Sequence, residues 1–254
     1  MVSDIEDDGE SIPVPIKLVI LQQVASGMEA LVDQKLIHRD LALRNVLVFA
    51  LDLADAAATS VKEADFGLTV NSYTAGCNYV QGGPKPIRWL APESLRRGKY
   101  SEKSDVWSYA VLAWELLSNG EIPYFGIPSD EGVIQHVIAG NQLARPTEQP
   151  CPDRLWEAVA RCWAKLPKDR PTFARLSIEL STVMAAGAEG RVAELERRTL
   201  CEVCMDMPKD HIIRPCNHLC ICGDCSTILL AAPPGQRRCP MCRSPITSVE
   251  RVYS

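Results

Sequence analysis

Apolar residues recur at three- and four-residue spacing after Pro15, at Leu21, Val24, Met28, Leu31 and Val32. That period predicts one buried face of a long helix. Residues 46–51 and 61–62, rich in Val and Leu, read as short strands around an Ala-rich loop at 54–60. From Ser104 the helical period returns. Trp107, Ala110, Val111, Trp114 and Leu117 form one stripe, Leu155, Val159 and Cys162 a second, and Phe173, Leu176, Leu180 and Val183 a third. Pro and Gly punctuate the chain at 120–128, 140–152 and 167–171. Residues 185–199, Ala- and Gly-rich and then charged, read as a linker with partial helix. No internal repeat is visible.

Composition changes this picture in two ways. The 254 residues suffice for one large domain or two modest ones, and 46% hydrophobic with 23% charged residues is a globular balance. The formal charge is −5, yet Asp4, Glu6, Asp7, Asp8 and Glu10 crowd the first ten positions without a Lys or Arg. An acidic, flexible head over 1–11 follows, and the remainder is near neutral. A broad basic surface for nucleic acid or an anionic membrane is therefore not expected. No apolar run reaches the roughly 18–20 residues of a membrane helix, and the head lacks a secretory signal's positive and apolar regions. A non-secreted, cytoplasmic protein is the expectation. Cysteine is the second anomaly. Of eleven, eight (Cys201, Cys204, Cys216, Cys220, Cys222, Cys225, Cys239 and Cys242) fall in the last 54 residues. In a reducing compartment such a cluster reads as metal ligands before disulfides. Cys77, Cys151 and Cys162 are scattered thiols to which no function is assigned.

Three strings in the first part bear on chemistry. His38-Arg39-Asp40-Leu41-Ala42-Leu43-Arg44-Asn45 precedes Asp65-Phe66-Gly67, and Ala91-Pro92-Glu93 follows. Phosphoryl transfer needs a carboxylate to accept the hydroxyl proton, which fits Asp40. It also needs oxygens to hold magnesium on nucleotide phosphates, which fits Asn45 and Asp65. In this order the strings support one another. Residues 12–184 thus resemble the large C-terminal lobe of protein kinases, and the resemblance continues through Ser104-Asp105-Val106-Trp107 and Asp169-Arg170-Pro171. It implies that Asp105 braces the catalytic loop and that Glu93 pairs with Arg170. Ala42 with Arg44, and Pro86-Ile87-Arg88-Trp89, are similar to the tyrosine-kinase type. The same resemblance makes Tyr73 and Tyr79 candidate activation-loop phosphosites, beside the alternative of ordinary exposed packing.

Departures from the kinase pattern are equally specific. A Gly-rich phosphate loop, its strand Lys and the helix Glu that orients it are all missing, and 37 residues precede His38. Each well-placed electrostatic contact of that kind is worth about 3 kcal/mol of transition-state stabilisation, so the lobe is expected to be inactive as written. Glu63 stands where the family prefers an apolar strand residue, and the Asn45–Asp65 segment is longer than usual. Either a small lobe is encoded upstream of Met1, or the lobe serves as a protein-binding platform. Magnesium and ATP are implied only in the first case.

The ligand arithmetic of the last part is tighter. Cys201 and Cys204, Cys216 and His218, Cys222 and Cys225, and Cys239 and Cys242 supply seven thiolates and one imidazole, enough for two closed tetrahedral zinc sites. Such sites can staple a short chain that lacks an adequate core. A disulfide framework is the competing reading, disfavoured by the His in register. Cys220 falls off the spacing and is assigned to packing, and His211 to the surface. Residues 200–254 resemble a RING finger, with Arg214-Pro215-Cys216-Asn217-His218 and Cys239-Pro240-Met241-Cys242 similar to the inhibitor-of-apoptosis type. The resemblance implies cross-brace ligation. Cys201, Cys204, Cys222 and Cys225 hold one zinc; Cys216, His218, Cys239 and Cys242 hold the other. It also implies a ubiquitin-conjugating enzyme, ubiquitin and a protein substrate as partners. Val203, Pro240 and Ile228 would contact the conjugating enzyme, and Arg243 would bridge it to ubiquitin. The tail residues Ile246, Val249, Val252 and Tyr253 suggest either a homodimer or a strand packed on its own domain.

The expected architecture is a mainly α kinase C-lobe followed by a small zinc-bound α+β RING domain. Three functions compete: a RING-type ubiquitin ligase whose kinase-like lobe selects substrate, part of a tyrosine kinase with a regulatory RING, and a non-enzymatic adaptor.

Overall fold

The computed structural model describes residues 11–72, 76–80, 82–83, 85–147 and 151–252, with the side chains of 191–196 left aside. The acidic positions of the head, Tyr73 and Tyr253 lie outside the described residues. The chain divides into two units, Met1–Ala185 and Ala186–Ser254.

Helix α1 (Val14–Asp33) begins where Pro15 fits the first turn, and it buries Ile20, Leu21, Val24, Ala25 and Met28. A short strand β1 (Leu36–Ile37) leads to the hairpin of β2 (Val46–Ala50) and β3 (Ser60–Glu63), antiparallel with an irregularity between Val48 and Ala50. A single 3₁₀ turn, Ala56–Ala58, sits inside the Ala-rich loop, capped by the Asp55 carboxylate. Strand β4 (Val70–Asn71) pairs with β1, and β5 (Cys77–Tyr79) pairs with β6 (Lys99–Ser101). Between the last two lies α2 (Pro92–Arg97), which ends on Gly98 at φ 61°. A Cβ there would stand 2.3 Å from the Val80 carbonyl oxygen, so glycine is required on both counts.

Helix α3 (Glu102–Leu117) starts with a Ser101/Ser104 capping box and is buried at every position from Ser104 to Leu117. The apolar stripe seen in the sequence is one face of a helix enclosed on all sides. Three of its buried polar side chains are satisfied inside the core, whereas Trp107 Nε1 has no hydrogen-bond partner among the described residues. Tyr109 Oη donates to the Leu21 carbonyl (2.9 Å), Ser108 Oγ to that of Trp89 (2.7 Å) and Trp114 Nε1 to that of Ala144 (2.8 Å). Helices α4 (Asp130–Ile138), α5 (Asp153–Arg161) and α6 (Phe173–Thr199) follow. The fully buried Arg170 guanidinium grips Glu93 with two bonds of 2.7 and 2.9 Å. It also donates to the Lys103 and Ala164 carbonyls and lies 5.0 Å from the Trp107 ring centroid. A buried ion pair is stable only when its remaining donors are used in this way.

The stretch 185–199 is helical throughout, as the second half of α6. In the second unit, β7 (His211–Arg214) is the central strand of a three-stranded antiparallel sheet, flanked by β8 (His218–Ile221) and β9 (Ser248–Arg251). Helix α7 (Gly223–Ala231) follows β8. The core is small: Ile213, Cys220, Ile221 and Ile246 with four of the cysteine ligands. A core of this size needs a further constraint to hold.

Candidate metal centres and a kinase-type catalytic loop

In the second unit two groups of four ligand atoms converge. Cys201, Cys204, Cys222 and Cys225 form one, and Cys216, His218, Cys239 and Cys242 the other, with the ligand atoms of each within 4.8 Å of one another. The first and third pairs share one centre, the second and fourth the other, so the chain crosses between them. His218 turns its Nδ1 to the cluster, 3.5 Å from Cys239 Sγ. Two turns of the same geometry carry a pair each. The Met205 N–H bonds the Cys201 carbonyl (2.9 Å), the Arg243 N–H bonds that of Cys239 (2.8 Å), and both closing residues have positive φ, 55° and 59°. Cys222 stands just before the first turn of α7 and Cys225 within it.

Seven sulfurs and one imidazole in two four-ligand groups fit tetrahedral zinc and leave no open coordination position, so the metal role is structural. Cys220, fully buried between the clusters in sequence, belongs to neither; burial pushes its thiol up to about 12, in keeping with packing. Cys225 is likewise pushed up to about 12 by burial, and a bound cation would displace its proton. His211 bonds Asp210 (2.7 Å) and also lies outside both clusters. Around the centres Val203, Pro240, Ile228 and Arg243 are exposed, Ile228 by 71%. Met205, Met207 and Met241 are exposed as well. Sequence reading passed over these methionines, although their positions beside the ligands were the available signal.

The first unit assembles its loop differently. Asp105, buried at the N-terminal end of α3, accepts the backbone N–H groups of His38 (2.8 Å) and Arg39 (3.1 Å). Burial pushes its carboxyl up to about 7, against the pull of those two bonds. Arg39, at φ 72°, turns its guanidinium to the Leu68 carbonyl (2.9 Å) and over the Tyr100 ring (4.5 Å). Asp40 is paired with Arg44, whose guanidinium lies 4.4 Å from the Trp89 ring centroid. Glu115 then ties the arrangement together, accepting from Trp89 Nε1 (2.7 Å) and the Leu43 N–H (3.0 Å). Asn45 donates to the Asp40 carbonyl (2.7 Å), which leaves its side-chain oxygen for another partner. Asp65 is exposed at φ 59° and accepts the Gly67 N–H (3.2 Å). Phe66, half exposed, lies 5.3 Å from the His38 ring. Tyr79 is exposed on β5, opposite Lys99.

Residues 1–180 match the protein-family profile described as protein tyrosine and serine/threonine kinase. The chain belongs to that family. Residues 197–249 match the zinc finger, C3HC4 type (RING finger), so a RING follows the kinase lobe. The lobe is 42% identical over 170 residues to tyrosine-protein kinase Src64B of Drosophila melanogaster, covering 66% of this chain and 29% of that one. It is 38% identical over 164 residues to inactive tyrosine-protein kinase 7 of Homo sapiens (65% and 14%). It is 36% identical over 186 residues to tyrosine-protein kinase receptor TYRO3 of Rattus norvegicus (72% and 20%). The chain thus spans less than a third of each of these relatives. Likeness of this degree is shared by proteins named as kinases and by one named inactive. Among the described residues, no helix is long and apolar enough to cross a membrane.

Proposed function

We propose that the chain is a RING-type ubiquitin-protein ligase whose kinase lobe holds the protein substrate. The observation that carries this reading is the pair of closed four-ligand centres, with Val203, Pro240 and Arg243 exposed on the turns that bear the first and last ligand pairs. A closed zinc centre offers no coordination site for chemistry, so its contribution is rigidity. The function such a rigid face supports is orientation of a charged conjugating enzyme, whose own thioester reacts. In that reading Val203, Pro240 and Ile228 meet the conjugating enzyme. Arg243 reaches from it to ubiquitin, because a guanidinium fork can grip carbonyls on both. Two zinc ions are the resident cofactors. A homodimer through the tail is part of the proposal, with Val252 exposed at the end of β9 while Ile246 and Val249 pack on the unit's own core.

The test is ubiquitin transfer reconstituted with a panel of conjugating enzymes. Wild-type chain should give zinc-dependent transfer, and Arg243→Ala should lower it at least about tenfold with zinc content unchanged, the loss of one oriented contact of about 1.4 kcal/mol or more. No transfer with any conjugating enzyme would overturn the proposal. A second reading, part of an ATP-dependent tyrosine kinase, is favoured by one observation: Asp40, Arg44 and Asn45 are retained on the loop braced by Asp105, and Asp65 is retained after β3. It requires tyrosine phosphorylation that Asp40→Asn abolishes, in a longer product that supplies the small lobe.

A further inference from the structure

Lysine and arginine are distributed unevenly between the two units. The first carries eight lysines and ten arginines, whereas the second carries eight arginines and a single lysine, Lys209. Three of those arginines make contacts suited to a guanidinium: Arg214 forks onto Glu250, Arg237 donates to the Ala232 carbonyl, and Arg251 pairs with Asp210. Arg238 and Arg243 are exposed cations at the last ligand pair, where an ammonium would carry the same charge. Lys209 is itself withdrawn. Its side chain is only 19% exposed, and Nζ lies 3.5 Å from the Glu202 carboxylate. In the kinase lobe, by contrast, Lys35, Lys62, Lys85, Lys165 and Lys168 are exposed. Lys165 and Lys168 flank the exposed Leu166 in the short connection between α5 and α6.

The difference matters chemically. A lysine amine that has lost its proton attacks the thioester carbonyl between ubiquitin and its conjugating enzyme. The isopeptide C–N bond forms and the C–S bond breaks. The cysteine thiolate leaves, and the amine's second proton passes to solvent. A guanidinium stays protonated, with its lone pairs delocalised, and cannot perform this step.

We propose that the acceptors for self-ubiquitination are lysines of the kinase lobe, and that the RING unit keeps its positive charge while presenting almost no acceptor amine. The inference rests on the ligase reading above and adds where the product forms. The same composition spares the zinc-bound unit from being blocked by its own product.

The experiment incubates the full chain with activating enzyme, conjugating enzyme, ubiquitin and ATP, then maps Gly-Gly remnants by mass spectrometry. Transfer to free lysine is followed in parallel. Remnants should fall on lobe lysines, Lys165 and Lys168 among them. Lys209→Arg should leave self-modification within about twofold of wild type. Replacing Lys35, Lys62, Lys85, Lys165 and Lys168 together by Arg should reduce it at least about fivefold while transfer to free lysine persists. Remnants concentrated on Lys209 or on the α-amine, with free-lysine transfer intact, would overturn this inference alone. Absence of transfer to free lysine as well would overturn the ligase reading and the inference with it.

Discussion

Glu63 lends itself to a quantitative test, because its carboxyl is packed where β3 meets α1. Its Oε1 has no hydrogen-bond partner among the described residues. A Cβ on Gly27 would lie 2.2 Å from Oε2, which shows how closely the carboxyl approaches the helix. Desolvation raises its pKa from 4.5 to about 7, against a weaker opposing bond from its own backbone. The folded state therefore holds the proton more tightly than the unfolded chain. Below the unfolded value both forms are protonated and no penalty exists. As pH rises from about 4.5 the unfolded chain ionises first, and the penalty grows until it is complete above about 7. A shift of this size corresponds to about 3 kcal/mol. Glu63→Met removes the charge at similar length and should stabilise the lobe by about 2.5 kcal/mol more at pH 8 than at pH 5, where part of the penalty is already present. For a domain of this size that is a difference of roughly 5–10 °C in melting temperature. The assay is convenient because all five tryptophans (Trp89, Trp107, Trp114, Trp156 and Trp163) lie in the lobe, so their fluorescence reports its unfolding alone. An equal melting shift at pH 5 and pH 8 would refute the reasoning.

Three further outcomes follow from the same geometry. Gly27→Ala gains about 1 kcal/mol of helix propensity but must displace the Glu63 carboxyl, so its net benefit should be smaller than in a Glu63→Ala background, a difference read in a double-mutant cycle. Asp105→Leu leaves the His38 and Arg39 N–H groups unpaired and should destabilise the lobe by about 2–5 kcal/mol, read from the same fluorescence. Cys220→Val should keep both metal equivalents, whereas Cys225→Ser should lose one and unfold the second unit, because each structural zinc supplies about 10–16 kcal/mol of apparent binding free energy. Zinc content and amide exchange on the two variants distinguish these outcomes.

What the sequence made legible tracks how local each signal is. The eight ligands were readable because a metal site fixes residue type and spacing together, and the same arithmetic left Cys220 and His211 out. Helix α1 was readable from its period, since only one face is buried. The stripe on α3 was readable too, but its enclosure was not, because Ser108 and Tyr109 on the other faces are buried through bonds to distant carbonyls. Helix α4 was passed over between its flanking Pro and Gly clusters, although Ser129 with Asp130 and Glu131 is an N-terminal signal. Helix α7 was hidden because its sequence is apolar without a clear period and its position is set by Cys222 and Cys225. The pairing of β1 with β4 joins residues more than 30 apart in two-residue strands, too short for any pattern. Glu63 was legible as a departure from its family, and its burial against Gly27 is what the fold adds.

The account as a whole depends on metal holding the second unit together, and native mass spectrometry of the unchelated chain tests this directly. The predicted result is the chain mass plus two zinc ions, one for each four-ligand centre, with chelation unfolding the second unit while tryptophan fluorescence of the lobe is unchanged. A folded second unit carrying fewer than two zinc ions would contradict it.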